Sequence, residues 1–316
     1  MTKAYSQFFN NLQKSKILIV GDIMLDRYWF SQVSRISPEA PVPIAKIEGK
    51  DERLGGAANV AANITTLQGI AGLISIIGND EGGNIIKELL QNNNITPYLI
   101  QDQDYLTTVK LRVISRNQQL MRLDFETIPS DSTLSKKLTI LKQEISNYQL
   151  LILSDYGKGG LGQIAKIISF ANKLNIPILI DPKGSDYSKY KNSKLITPNT
   201  NELRSVIGSW QNEQELNTKV QNLREQLNIQ AILLTRSEHG ISLFTQESIN
   251  SIPALTREVY DVSGAGDTVI ALMGLAISSG CSLTEAMEIA NAAASVVVGK
   301  LGASTVTITE LKKALI

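Results

Sequence analysis

The stretch Asp261-Val262-Ser263-Gly264-Ala265-Gly266-Asp267-Thr268 places a carboxylate directly after a run of small residues and directly before the apolar segment Val269 to Ser278. Small residues let backbone approach a ligand, and a helix start offers N–H groups without internal partners at the positive end of the macrodipole. Gly264, Ala265 and Gly266 therefore suit an anion hole for a phosphoryl group in transfer. Asp267 stands beside that hole, where it can take the proton of an attacking hydroxyl. An Asp in the first turn of a helix is also a common stabilising placement; the flanking glycines and the motifs below favour the chemical role.

A second run, Gly55-Gly56-Ala57-Ala58-Asn59-Val60-Ala61-Ala62-Asn63, opens an alanine-rich helix with paired glycines. Its backbone can lie close to a small polar ligand and the Asn59 amide can grip a hydroxyl, although tight helix packing through small residues explains the same pattern. Thr197-Pro198-Asn199-Thr200-Asn201-Glu202 follows the short strand Lys194 to Ile196 and begins a helix, setting Asn199 and Glu202 three apart at a strand's C-terminal end. Ligands of open α/β sheets bind there, and Mg2+ prefers oxygen donors and keeps several waters, so this pair can position a hydrated ion. The same spacing is that of a capping box, and both readings can hold together.

Cations form a third group. Lys183 in Asp181-Pro182-Lys183-Gly184 closes another strand, while Lys110, Arg112, Arg116 and Arg122 crowd one ribbon, with Lys110 and Arg112 on one face at period two. Such groups can hold a phosphate on a substrate, and Lys183 ranks above the other four; solvated charge is the commoner explanation for any one of them. The single histidine, His239, reads as a turn residue near a nucleotide.

One motif points elsewhere. Gly157-Lys158-Gly159-Gly160-Leu161-Gly162 matches G-x-G-x-x-G between a strand and a helix, with Asp181 where a ribose-binding acid would sit. Against a dinucleotide-binding dehydrogenase, Ser154-Asp155-Tyr156 separates the strand from the first glycine, Lys158 adds bulk and the unit sits mid-chain. No Gly-x-x-x-x-Gly-Lys-Ser/Thr run exists, which excludes the P-loop class.

These residues need a scaffold. Short β-branched runs at Ile17 to Val20, Leu150 to Leu153, Ile176 to Ile180 and Ala231 to Leu234 alternate with amphipathic segments such as Gln163 to Leu174 and Ser282 to Val298. That rhythm predicts an α/β fold, a mainly parallel sheet flanked by helices. Tyr28 to Ile47 and Leu106 to Phe125 show strand-like alternation outside the rhythm and predict a small separate β lid, drawn from about residues 24–52 and 104–126. Pro38, Pro41 and Pro43 belong at its edges and turns.

The 316 residues suffice for a full core, and 31 Lys plus Arg against 30 Asp plus Glu leave no global field for nucleic acid or an anionic membrane. Cys281 alone makes no internal disulfide and, with one histidine, no structural zinc site; buried filler is its expected role. The first sixteen residues lack the apolar core and cleavage site of a signal peptide, and the most apolar later run is broken by Gly274 and Ser278, so the expected location is the cytoplasm.

With these motifs in hand, the sequence resembles the ribokinase (PfkB-type) carbohydrate kinases: Gly55 to Asn63 looks like their first signature and Asp261 to Thr268 like their second. The resemblance implies a ribokinase-like fold, a β lid over the sugar, ATP with Mg2+, the Gly264–Gly266 anion hole, Asp267 as base and Asn199 with Glu202 at the metal. Within the family, Gly21 to Tyr28, Ser34 to Pro43, Arg116 to Glu126 and Asn291 to Thr305 are similar to the branch that phosphorylates O1 of D-glycero-β-D-manno-heptose 7-phosphate. On that basis the expected substrate-binding set is Asp22, Asp26, Gly55, Gly56, Asn59, Lys110, Arg112, Arg122, Asp155 and Lys183, with the cations on the 7-phosphate. Asn199, Glu202, Thr235, Ser237, Gly240 and Asn291 form the expected nucleotide set.

Many such relatives carry Thr where Ser263 stands, a swap that keeps the hydroxyl, and many add a nucleotidyltransferase domain with a His-x-x-His type motif. The expectation here is one sugar-kinase domain over residues 1–316 with no nucleotidyltransferase, working as a homodimer because an open lid sheet leaves edges to cover.

Overall fold

The computed structural model describes residues 3–116, 118–255 and 259–315. In chain order the strands are β1 (Lys16–Gly21), β2 (Ile23–Ile36), β3 (Pro43–Gly56), β4 (Ile70–Gly78), β5 (Thr96–Asp102), β6 (Val109–Ser115) and β7 (Gln118–Phe125). They continue as β8 (Leu150–Ser154), β9 (Ile178–Asp181), β10 (Leu195–Ile196), β11 (Ala231–Thr235), β12 (Ile241–Thr245) and β13 (Ile249–Ile252). Nine of them form one sheet in the order β13-β12-β11-β10-β9-β8-β1-β4-β5, parallel from β11 to β5 and antiparallel at β12 and β13.

The central strands are apolar throughout because both faces of the sheet are covered. Ile17 and Ile19 of β1 join one buried cluster, and Leu18 and Val20, pointing the other way at period two, join the second. Helices α1 (Lys3–Asn11), α2 (Ala57–Thr66) and α3 (Glu81–Asn92) lie on the first face. The second face carries α4 (Asp131–Glu144), α5 (Ile164–Lys173), α6 (Thr200–Ile207) and α7 (Glu213–Gln226). The chain then returns to the first face with α8 (Ala265–Ser278), α9 (Leu283–Val297) and α10 (Ile308–Ala314). Most helices begin on a polar cap: Asp80, Ser130, Asn212, Ser282 and Thr307 each accept from a first-turn N–H. Helix α8 is different, being apolar on every side and wedged between α2, α9 and the sheet, with no side-chain cap.

The second sheet is four-stranded, in the order β3-β2-β6-β7. The expected lid stretches form it, over a longer span on the N-terminal side than anticipated: the hairpin runs from Ile23 to Gly56. Strand β6 pairs parallel to β2 and antiparallel to β7. Asn117, inside the second expected stretch, lies outside the described residues. Pro38 and Pro41 fall in the hairpin loop and Pro43 opens the edge strand β3, where a missing N–H costs no ladder bond. The expected strand Ile176 to Ile180 begins only at Ile178. Cys281 is half-buried against the core, with burial pushing its thiol up to about 11.

Truncating Ile152, fully buried at the centre of β8, removes contacts on a face that cannot collapse. Ile152→Ala should cost about 2–5 kcal/mol of unfolding free energy in a denaturant titration; a loss under about 1 kcal/mol would mean the β8 core is loosely packed.

Candidate active site

The N-terminus of α8 is the centre of the site. Gly264 takes φ 79°, a left-handed conformation, and a Cβ there would stand 2.7 Å from Asn59 Nδ2, so both backbone and packing call for glycine. A Cβ on Gly266 would meet nothing within 4 Å, because that position faces open cavity. The Ala265 N–H turns back onto the Val262 carbonyl at 3.2 Å. Among the described residues, the N–H groups of Gly264, Gly266 and Asp267 have no backbone acceptor outside the helix, so of the expected Gly264–Gly266 donors only that of Ala265 is engaged, and the Asp267 N–H joins them in front of the helix dipole.

Asp267 is only 5% exposed. Its Oδ2 accepts from Asn59 Nδ2 at 2.8 Å, and its Oδ1 accepts from the Tyr156 hydroxyl. Burial pushes the carboxyl up to about 6; the bonds from Tyr156 and Asn59 oppose that rise, the Asp26 carboxylate adds to it and Lys110 opposes it. Asn59, expected on a substrate hydroxyl, thus spends its amide on Asp267 and closes a network with Asn63, whose Nδ2 donates to the Asn59 carbonyl at 2.9 Å. A second carboxyl, Asp181, is pushed well above the usual range by burial and by the charges of Asp267 and Glu202.

A cavity of about 830 Å³ opens in front of Asp267. The structure gathers Asn199, Glu202, Thr235, Ser237, Gly240 and Asn291 around it, together with Gly264, Ala265 and Gly266. Asn291 donates to the Pro253 carbonyl at 2.9 Å and so fastens the loop after β13 that borders the cavity. His239 is exposed on the short turn Ser237–His239 at the same rim. Asn199 and Glu202 form the capping box in full: Asn199 Oδ1 accepts from the Glu202 N–H at 2.9 Å and Glu202 Oε2 from the Asn199 N–H at 3.1 Å. Lys183, expected on a substrate phosphate, is paired with Glu202 Oε1 at 2.9 Å.

The remaining expected substrate residues divide. Asp26 lies 2.6 Å from Arg112 Nη1, against Gly55, whose Cβ would strike Asp26 Oδ2. Lys110 stands 5.5 Å over the Tyr156 ring, its ammonium depressed by burial. Arg112 stacks on the Tyr28 ring, which carries Arg53 as well, beside a smaller cavity of about 340 Å³ that also includes Asp261 and Ser263. Arg122 sits opposite Arg112 in the ladder but is paired with Asp124 and half exposed, and Arg116 is exposed at the β6–β7 turn.

Asp22 and Asp155, expected on the substrate, are both engaged by groups of their own chain. Asp22 accepts from the backbone N–H groups of Tyr156 (3.0 Å), Lys158 (3.1 Å) and Gly160 (2.9 Å). Asp155 accepts from the Gly157 N–H, from Lys189 at 2.7 Å and from the Tyr190 hydroxyl at 2.6 Å. The G-x-G-x-x-G run is therefore an anion nest already filled by a side chain of the same chain, and its glycines precede rather than open α5. Beneath it, the buried ammonium of Lys137 has no hydrogen-bond partner among the described residues; burial depresses it to about 8 while Asp22 and Asp155 hold it up. Sequence reasoning missed Tyr156, Asp181 and Lys137 as site residues. Tyr156 directly precedes the discounted motif, Asp181 reads there only as its ribose-binding acid, and nothing local marks Lys137 on α4.

The pfkB family carbohydrate kinase profile matches residues 14–310. The chain belongs to that family. It is 48% identical to the bifunctional protein HldE of Actinobacillus pleuropneumoniae over 98% of this chain and 65% of that protein, so it spans about 65% of the length of such relatives. It is 44% identical to the D-beta-D-heptose 7-phosphate kinase of Bordetella bronchiseptica, covering 95% of this chain and 96% of that one. Among solved structures, phosphofructokinase-2 of Escherichia coli superposes with a TM-score of 0.81 at 18% identity over 95% and 98% of the two chains. Ribokinase of Arabidopsis thaliana gives 0.75 at 20% identity over 95% and 98%. The pfkB kinase fold thus accounts for the parallel sheet and flanking helices. No helix among the described residues is long and apolar enough to cross a membrane.

If Asp22 serves the loop, Asp22→Ala leaves three backbone donors unpaired and should lower unfolding free energy by about 2 kcal/mol or more in a denaturant titration. Unchanged stability with lost turnover would return Asp22 to the substrate.

Proposed function

We propose that this chain transfers the γ-phosphoryl group of ATP to O1 of D-glycero-β-D-manno-heptose 7-phosphate, giving the 1,7-bisphosphate. The observation that carries the chemistry is the buried Asp267 carboxylate at the start of α8, beside uncommitted backbone donors and open to the cavity. The sugar is supported by the 44% identity to a heptose 7-phosphate kinase along nearly its full length.

In this reading the nucleotide lies along the cavity between Ser237, Gly240 and Asn291, with its phosphates toward Gly266. Asp267 takes the proton of the sugar O1–H as O1 bonds to the γ-phosphorus and the bond to the bridging oxygen of ADP breaks. The N–H groups of Gly266 and Asp267 hold the transferring oxygens through the transition state. Lys110 and Arg112 on the second sheet, one over Tyr156 and one against Asp26, receive the sugar phosphate, and that sheet acts as the lid that excludes water.

Mg2+ fits the floor of the cavity. Asp181, Glu202 and Asp267 act on one another there as an excess of buried negative charge, which a cation relieves. No group of three ligating side chains converges among the described residues, so Glu202, Asn199 and Asp181 would hold a hydrated ion through water. Such an ion supplies charge neutralisation on the phosphates.

A homodimer through the second sheet is part of this proposal: its edge strand β7 exposes Leu120, Met121, Leu123 and Phe125. Its cytoplasmic location follows from its need for ATP.

Asp267→Asn should lower kcat by roughly 100-fold or more with ATP binding nearly intact, read by ADP release and nucleotide titration. Near-normal turnover removes the assigned base. With MgATP and a panel of heptose 7-phosphate, ribose, fructose and fructose 6-phosphate, turnover should be confined to the first; another preferred sugar would keep the chemistry and discard the heptose. Lys110→Met should raise KM for the sugar phosphate by about tenfold, and an unchanged KM would move the phosphate site elsewhere.

A further inference from the structure

Tyr156, directly before the G-x-G-x-x-G run, reaches Asp267 with its side chain. Its hydroxyl donates to Asp267 Oδ1, while Asn59 donates to Oδ2, so the carboxylate is gripped from two directions by residues of different layers. The tyrosine is itself fixed at its backbone by the bond to Asp22, and its ring is covered by Lys110. Asp155, tied to Lys189 and Tyr190, pins the next residue through the Gly157 N–H.

We propose that Tyr156 is a positioning residue for phosphoryl transfer: its phenol fixes the orientation of Asp267 and keeps that carboxylate ionised and ready to accept the acceptor's proton. The inference rests on Asp267 as the base. The phenol remains a donor throughout the step, because burial and the charges of Asp267, Asp181 and Asp26 hold its own proton firmly. The proton that moves is the acceptor's, from O1 to Asp267; Tyr156 gives up none.

The sign of its effect follows from the surroundings. Burial, Asp26 and the neighbouring Asp181 favour the neutral acid at Asp267, while Tyr156, Asn59 and Lys110 favour the carboxylate. The active, ionised base is present above the pH at which Asp267 titrates and lost below it. Removing the Tyr156 hydroxyl removes one carboxylate-favouring contact, so the acid limb of the rate must move to higher pH. A residue that only supports the loop would instead lower turnover by the same factor at every pH.

The test is the pH dependence of kcat from pH 5 to 9 for the full chain with MgATP and heptose 7-phosphate, in wild type, Tyr156→Phe and Asp267→Asn. Phe keeps the ring beneath Lys110. The expected result for Tyr156→Phe is an acid limb raised by about one pH unit, with activity recovering toward alkaline pH. An unmoved limb, or a uniform loss, overturns the proposal while an inactive Asp267→Asn leaves the base assignment standing. Normal turnover in Asp267→Asn overturns both. Should Tyr156→Phe fail to fold, 3-fluorotyrosine placed at position 156, a stronger donor of the same shape, must move the limb to lower pH; no shift overturns the proposal.

Discussion

A carboxylate held out of water at the head of an entirely apolar helix is stable as an anion only if donors reach it from elsewhere, and much of this molecule serves that need. Asp267 has the α8 dipole behind it, Asn59 from α2 on one oxygen and Tyr156 from the loop after β8 on the other. Helix α2 follows directly from the edge strand of the second sheet, so the same turn that delivers Asn59 also anchors that sheet to the core. The loop that delivers Tyr156 is long and glycine-rich, and it is ordered by two further buried carboxylates, Asp22 and Asp155. Lys137 balances those charges from below.

Charge is distributed unevenly around the centre. Acidic groups collect on the cavity floor at Asp181, Glu202 and Asp267, whereas Lys110 and Arg112 descend from the second sheet. Burial and, after it, repulsion from Asp267 and Glu202 raise Asp181, while Glu202 is paired with Lys183. An arrangement of this kind separates a cation-seeking face from an anion-seeking face across one buried carboxylate, which matches the demands of moving a charged phosphoryl group between two ligands. The pairing of Arg112 with Asp26 and its stacking on Tyr28 keep the cationic face ordered without a ligand, since a charge already paired and stacked has little freedom left to lose.

Local patterns in the chain settled the elements and the outline of the site. Period-two apolar runs such as Ile17 to Val20 become strands covered on both faces, and small residues leading into an apolar segment become the α8 terminus, because each depends on residues close in sequence. The three-residue spacing of Asn199 and Glu202 implied a capping box for the same reason, and the box is complete. Tertiary structure alone decided which polar groups were still available. Asp22 meets Gly160 across 138 positions, Tyr156 meets Asp267 across 111 and Asn59 meets Asp267 across 208. A carboxylate in the sequence does not say whether it will face a ligand or fill a nest in its own chain. That choice depends on the order in which strands are laid side by side, which brings β1, β8 and α8 to one end of the sheet, and no local period encodes it.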